Sequence, residues 1–164
     1  MIGGGPGSFI GAVHRIALRM DGHYEMVAGA FSSSHEKCLE TARELGISED
    51  RAYPSWKELV EKESVLPKDE KAQVIVITTP NHLHAEPTIA ALKEGFHVVL
   101  DKPLCTSLQE AYGIKKAIEN SKGLFCLTHT YTGYPMVKEA KFQVSGGTLG
   151  KVRKIYVEYP QGWL

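Results

Sequence analysis

Val74-Ile75-Val76-Ile77 sets four β-branched residues in an unbroken row that stops at Thr78-Thr79-Pro80-Asn81. A row of this kind leaves no side for solvent, so it reads as a strand covered on both faces, the habit of parallel sheets. His97-Val98-Val99-Leu100 repeats the pattern and is broken by Asp101-Lys102-Pro103. Between the two runs lies one helix-length segment, from about His84 to Glu94, closed by Gly95. Parallel neighbours require a crossover connection, so the chain is constrained to an α/β fold with helices packed on its sheet.

The flanking sequence extends this alternation. Phe9 to Met20 carries apolar residues at helical spacing and stops at Asp21-Gly22, and Tyr24 to Phe31 reads as a strand. Ser34 is placed to cap a helix from His35 to Leu45, with Gly46 closing it. Ser55-Trp56-Lys57-Glu58 and Ser107-Leu108-Gln109-Glu110 both fit the capping box, and they open helices expected to reach Glu63 and Asn120. Leu124 to Thr128 supplies one more strand. The expectation is a Rossmann-like, doubly wound parallel sheet over residues 1–130, with its first strand largely missing. Residues 131–164 differ: Pro135 to Val144 reads as a helix ended by Gly146-Gly147, and Lys151 to Tyr159 largely alternates polar with apolar residues. That alternation describes a half-exposed strand, so this stretch is expected to be the linker helix and first strand of a C-terminal α+β domain.

Composition narrows the function. Nineteen basic residues balance nineteen acidic ones among 164, so no broad field draws the chain to nucleic acid or an anionic membrane surface. Any anion must be held locally. Cys38, Cys105 and Cys126 are odd in number and form no CxxC pair, which points to reduced thiols in a cytoplasmic protein. No apolar run approaches the roughly 20 residues that a bilayer crossing needs.

Gly3, Gly5, Gly7 and Gly11, with Pro6 and Ser8 among them, form a turn that opens the first helix at Phe9 and Ile10. Glycines let the backbone approach a pyrophosphate, and the free amides at the helix start hold its charge. A βαβ unit follows, as a dinucleotide-binding loop requires. At the end of the next strand NAD-specific domains place an acidic residue on the ribose; here stand Ser32, Ser33 and Ser34, with Lys37 nearby. Hydroxyls and an ammonium accept a 2′-phosphate, so the residues favour NADP over NAD. The competing reading is that Ser32 to Ser34 only cap the following helix.

In an open parallel sheet the ligand lies beyond the carboxyl ends of the strands. Three segments bring chemistry there: Thr78-Thr79-Pro80-Asn81-His82-Leu83-His84, Asp101-Lys102-Pro103 and Thr128-His129-Thr130-Tyr131. With the glycine loop and His14 in the helix behind it, these segments resemble the glucose-fructose oxidoreductase, inositol dehydrogenase and MocA-like group of NAD(P)-dependent oxidoreductases. Asp101-Lys102-Pro103 stands where that family usually has Glu-Lys-Pro. The resemblance covers nearly the whole chain. It implies that Lys102 contacts the nicotinamide ribose and the substrate and assists proton transfer at the hydroxyl being oxidised. Partial burial would suit that role by lowering the amine's proton affinity. It implies also that Thr79, Pro80, Asn81 and His84 line the nicotinamide side of the cofactor. Thr78 and Asp101 join that set, with Asp101 offering a shorter arm than the family's glutamate. Pro103 is a candidate for a cis bond to Lys102, which would fix the lysine firmly. His82 and His84 invite a metal reading, but no third ligand accompanies them and no metal is expected. His129 and Tyr131 either face the substrate or pack between domains.

The resemblance implies hydride transfer between NADP(H) or NAD(H) and a sugar, cyclitol or related polyol. Family members continue into a large antiparallel sheet whose aspartate and histidine work with the lysine, so the chain is expected to be a cofactor domain cut at both ends and weakly active alone. Val152 to Tyr159 and Trp163 would add an apolar face that favours homo-oligomers. The alternative function is a non-catalytic dinucleotide-binding module acting as sensor or assembly partner.

Overall fold

The computed structural model describes residues 1–162 and divides into two compact units, Met1–Thr128 and a second from His129 onward. In the first, four strands, β1 (Ile2–Gly3), β2 (Val74–Thr78), β3 (His97–Leu100) and β4 (Phe125–Leu127), pair in that spatial order, every pair parallel. On the free side of β1, Ala30 bridges to Ile2, and Gly29 bridges to Ala52. In chain order the lateral sequence is therefore 3-2-1-4-5-6, the doubly wound arrangement, with its reversal between β1 and β2.

The unbroken apolar runs are explained by what lies above and below them. Side chains alternate across a strand, so successive residues enter different cores. Ile75, Ile77, Val98 and Leu100 pack on one side with Leu59, Val60, Ala91, Leu92 and Ala117. Those partners come from α3 (Trp56–Val65), α4 (Ala85–Lys93) and α5 (Leu108–Asn120). Val76 enters the other core with Phe31, Cys38 and Ala42, where α1 (Phe9–Arg19) and α2 (His35–Leu45) lie, and Val74 and Val99 pack at its margin. Burying each such side chain contributes about 1.5–3 kcal/mol. That second core thins towards β4, where Cys126 is exposed; Cys38 is buried and Cys105 half-buried, all three free thiols.

The caps form as the serines predict, with one exception. Ser34 Oγ accepts from the Lys37 amide at 3.5 Å and Ser107 Oγ from the Glu110 amide at 3.3 Å. Glu110 completes the box at α5 by accepting from the Thr106 and Ser107 amides. At α3 only half the box exists: Ser55 caps the Glu58 amide, but the Glu58 carboxylate turns outward to Lys62 at 3.1 Å.

Two strand expectations are corrected. Tyr24 to Phe31 does not form a full strand; only Gly29 and Ala30 pair, because β1 offers two residues and Ala52 one for a ladder to grow on. Residues 151–159 are not a strand either. The described part of the second unit has a 3₁₀ turn (Thr130–Gly133), α6 (Pro135–Ser145) and extended chain, with no neighbour to take up strand hydrogen bonds. Trp163 lies outside the described residues. Tyr131 and Tyr159 bring their hydroxyls within 2.7 Å of each other.

Candidate functional site

The glycine turn is held rigidly against the sheet. The Gly5 amide donates to the Phe31 carbonyl at 3.0 Å, the Ser8 amide to Gly5 at 3.0 Å, and the Arg15 guanidinium braces the Gly4 carbonyl at 2.7 Å from one turn further along α1. A Cβ on Gly5 would stand 2.7 Å from the Phe31 carbonyl oxygen, and one on Gly11 would collide with the Gly4 backbone, so only glycine lets α1 close on the turn. Gly7 is different: its φ is +76° and it faces open space. Ser8 caps α1 by accepting from the Gly11 amide at 3.2 Å. The amides of Phe9 and Ile10, in the first turn, have no carbonyl within the helix to bond and are directed at whatever lies before it.

A cavity of about 780 Å³ opens at the reversal point between β1 and β2. It is lined by Gly3, Gly5, Pro6, Ser8 and Ile10 from the turn, by Ser32, Ser33 and Lys37 from the second βα connection, and by Thr78, Thr79 and Pro80 from the third. These are eleven of the sequence-derived candidates, brought together from segments as far apart in the chain as Gly3 and Pro80. Gly7 and Phe9 line a smaller adjoining hollow on the outer side of the turn. Among the described residues that line the cavity Lys37 is the one charged side chain, and none is a carboxylate. Ser32 Oγ accepts from the Ser34 amide at 3.1 Å, so that hydroxyl shapes the loop as well as the wall.

Gly4, Phe31, Pro54, Ser55, Trp56 and Leu83 line the same cavity and were not among the sequence candidates. Ser55 and Trp56 read in the sequence only as a helix start. The signal that would have found them is topological: Ala52 is the third strand position, so the residues after it emerge at the same sheet edge as the glycine turn.

Asn81 and His84 are not in the cavity wall. Asn81 begins a 3₁₀ turn, Asn81–Leu83, and His84 is fully buried beneath it, with Nε2 at 2.9 Å from the Thr79 carbonyl oxygen and Nδ1 at 2.7 Å from that of Pro103. Asp101 is half-buried, and its Oδ1 accepts from Thr128 Oγ1 at 3.0 Å and lies 3.4 Å from Nε2 of the buried His14. The shorter carboxylate thus still reaches the helix behind the glycine turn. Lys102 follows it, exposed rather than partly buried as its expected role would favour, and its bond to Pro103 is cis. His129 and Tyr131 belong to the second unit, at its 3₁₀ turn, with Tyr131 exposed. The hydrogen bond to the Tyr159 hydroxyl, followed by that group's charge, raises the proton affinity of Tyr131. Among the described residues no three His, Cys, Asp or Glu side chains converge as a metal site, and no helix is long and apolar enough to cross a membrane.

A lateral order reversing between β1 and β2, a glycine turn ahead of α1 and a cavity at the reversal define a dinucleotide-binding α/β protein. Residues 1–129 match the Gfo/Idh/MocA model, described as the oxidoreductase family with an NAD-binding Rossmann fold, and the chain belongs to that family. It is 31% identical over 99% of its length to the uncharacterized oxidoreductase YfiI of Bacillus subtilis, covering 41% of that protein. Over the same share it is 28% identical to levoglucosan dehydrogenase of Pseudarthrobacter phenanthrenivorans, covering 40%. An inositol dehydrogenase homolog from Azotobacter vinelandii, solved with NADH and myo-inositol, superposes with a TM-score of 0.88 at 35% identity, over 93% of this chain and 40% of that one. The chain thus spans about two fifths of the length of these relatives.

Proposed function

We propose that residues 1–130 hold NADP(H) for an oxidoreductase that moves hydride between the nicotinamide and a carbinol carbon of a sugar, cyclitol or related polyol, and that residues 131–164 open its substrate and dimerisation domain. The observation that carries this reading is the cavity at the reversal point, framed by the glycine turn and walled by Ser32, Ser33 and Lys37 without a carboxylate. The donor set fits the group: uncommitted first-turn amides suit a pyrophosphate, and Lys37 beside two serines suits a 2′-phosphate that an acidic side chain would repel. Pro54 and Trp56 supply apolar surface on the same wall. When bound, the nicotinamide supplies the hydride acceptor or donor.

The chain's own residues then bind, orient and handle the proton. The turn fixes the diphosphate end, and Thr79 and Pro80 bound the cavity on the side of β2. Lys102 would take the carbinol O–H proton when the substrate is oxidised and return it on reduction, with the bound nicotinamide supplying the hydride acceptor or donor. Asp101, held by Thr128, orients the segment that carries Lys102. His129 and Tyr131 are assigned to the substrate side. The substrate class rests on the family and on relatives whose names specify levoglucosan and inositol. Three free, widely spaced cysteines fit a cytoplasmic protein, and exposed Ile155, Tyr156 and Val157 fit burial in a homo-oligomer.

The test is a pair of fluorescence titrations with NADPH and NADH. Saturable binding with NADPH the tighter ligand is expected, and no binding of either overturns the proposal. Lys102→Ala should then reduce polyol-dependent turnover of the enzyme containing this domain by about 100-fold or more, the usual worth of a proton-transfer group, with cofactor affinity nearly unchanged.

A further inference from the structure

We propose that His84 is a positioning residue that couples the cavity wall to the Lys102 segment; the inference rests on the proposed role of Lys102 and adds a residue that links it to the cofactor side. The ring is 0% exposed and contacts neither the cavity nor solvent. Its two nitrogens reach two backbone carbonyls from different connections: Thr79, in the turn after β2 that walls the cavity, at 2.9 Å, and Pro103, directly after Lys102, at 2.7 Å. The ring stands on a firm base, because α4 begins at the next residue.

The segment around Lys102 is consequently tied on both flanks. Asp101 is held by Thr128 and approaches His14 on one side, and Pro103 is held by His84 on the other, while the Lys102 side chain stays exposed. A histidine serving the core alone would be satisfied within one element; this one spans two loops whose relative placement decides where the amine stands against the cavity. Both partners are acceptors only. A neutral ring carries one N–H and serves one carbonyl, and the doubly protonated ring serves both. An apolar side chain serves neither and releases the two loops from one another.

The experiment compares the parent with His84→Leu, which keeps bulk without donors. Hydrogen exchange followed by mass spectrometry is read at residues 79–83 and 102–105 without nucleotide. At least one of the two segments is expected to exchange about tenfold faster in the variant, the worth of one lost hydrogen bond, with β2 and β3 unchanged. Next, modification of Lys102 by an amine-selective reagent is timed with and without NADPH at concentrations saturating each protein. NADPH should slow it about tenfold in the parent and by less than about threefold in His84→Leu, a gap of the size one hydrogen bond sets. Parent-like exchange at both segments, or parent-like protection of Lys102, overturns the inference. Should His84→Leu fail to fold, His84→Asn replaces it, since its short amide reaches one carbonyl at most. Faster exchange at one segment or both then supports the coupling, and parent-like exchange at both overturns it. Absence of NADPH binding by the parent would refute the proposed function, whereas the exchange comparison still decides the role of His84.

Discussion

Glu63→Gln is expected to destabilise the first unit by about 2 kcal/mol, and the figure follows from the partners of one carboxylate. Glu63 is 0% exposed, on the inner face of α3. Its Oε1 accepts from Arg51 Nε at 3.0 Å and from the Tyr53 hydroxyl at 2.8 Å; its Oε2 accepts from Arg51 Nη2 at 2.6 Å and from the Ala72 amide at 2.8 Å. The node therefore joins the third strand position, α3 and the approach to β2. Glutamine has nearly the same shape but turns one oxygen into a donor. With the amide nitrogen towards Arg51 Nη2 and Ala72 two bonds are lost; with it towards Arg51 Nε and Tyr53 the phenol can turn to accept, and only the Arg51 Nε bond is lost. The cheaper orientation sets the cost, one bond to a guanidinium worth about 1.5–3 kcal/mol. That loss is a large share of the roughly 5–15 kcal/mol by which a domain is stable. Urea unfolding at pH 7, followed by circular dichroism, should show a lower midpoint with an unchanged slope. A loss below about 1 kcal/mol would mean that water or a shifted Arg51 replaces that bond, and the reasoning from the four partners would be wrong.

Two further outcomes follow from the same geometry. Burial first, then the hydrogen bond to Glu63, pushes the Tyr53 phenol from its ordinary 10.0 up to about 12. Between those values the unfolded chain sheds the proton and the folded chain keeps it, so stability must fall as pH rises through that window; a flat urea midpoint from pH 10 to 12 would contradict it. Ser33→Asp sets a carboxylate in the cavity wall beside Lys37. At about 5 Å, like charges repel by about 1–3 kcal/mol near a surface, so NADPH affinity should drop roughly 5- to 150-fold while NADH affinity changes little. Parallel titrations check this, and equal losses for both nucleotides would remove Ser33 from the 2′-phosphate site.

Local chemistry carried much of the fold. Ser34 and Ser107 begin helices because their hydroxyls accept from amides three residues on, and Gly46 ends one because its own amide donates to the carbonyls of Ala42 and Arg43; those signals appear in the structure where the residues stand. The Val74 and His97 runs are strands because no helix or exposed surface suits them, and their alternation between two cores follows from the pleat alone. Tyr24 to Phe31 and Lys151 to Tyr159 show the limit of this reasoning. A strand is made by its neighbour's hydrogen bonds, and a residue pattern cannot report whether a neighbour is there.

The sequence by itself thus determined the α/β class, the position of the glycine turn and the three polar segments at the strand ends, since each depends on residues close together in the chain. Tertiary structure alone decided that Trp56 joins the cavity wall and that Glu63 gathers four donors. It also decided that Asp101 meets His14 across 87 residues of chain, and that the buried His84 ring reaches the carbonyls of both Thr79 and Pro103. These contacts arise where the sheet's lateral order brings distant connections to one edge, and that order is fixed by the packing of whole elements, not by the residues that happen to meet there.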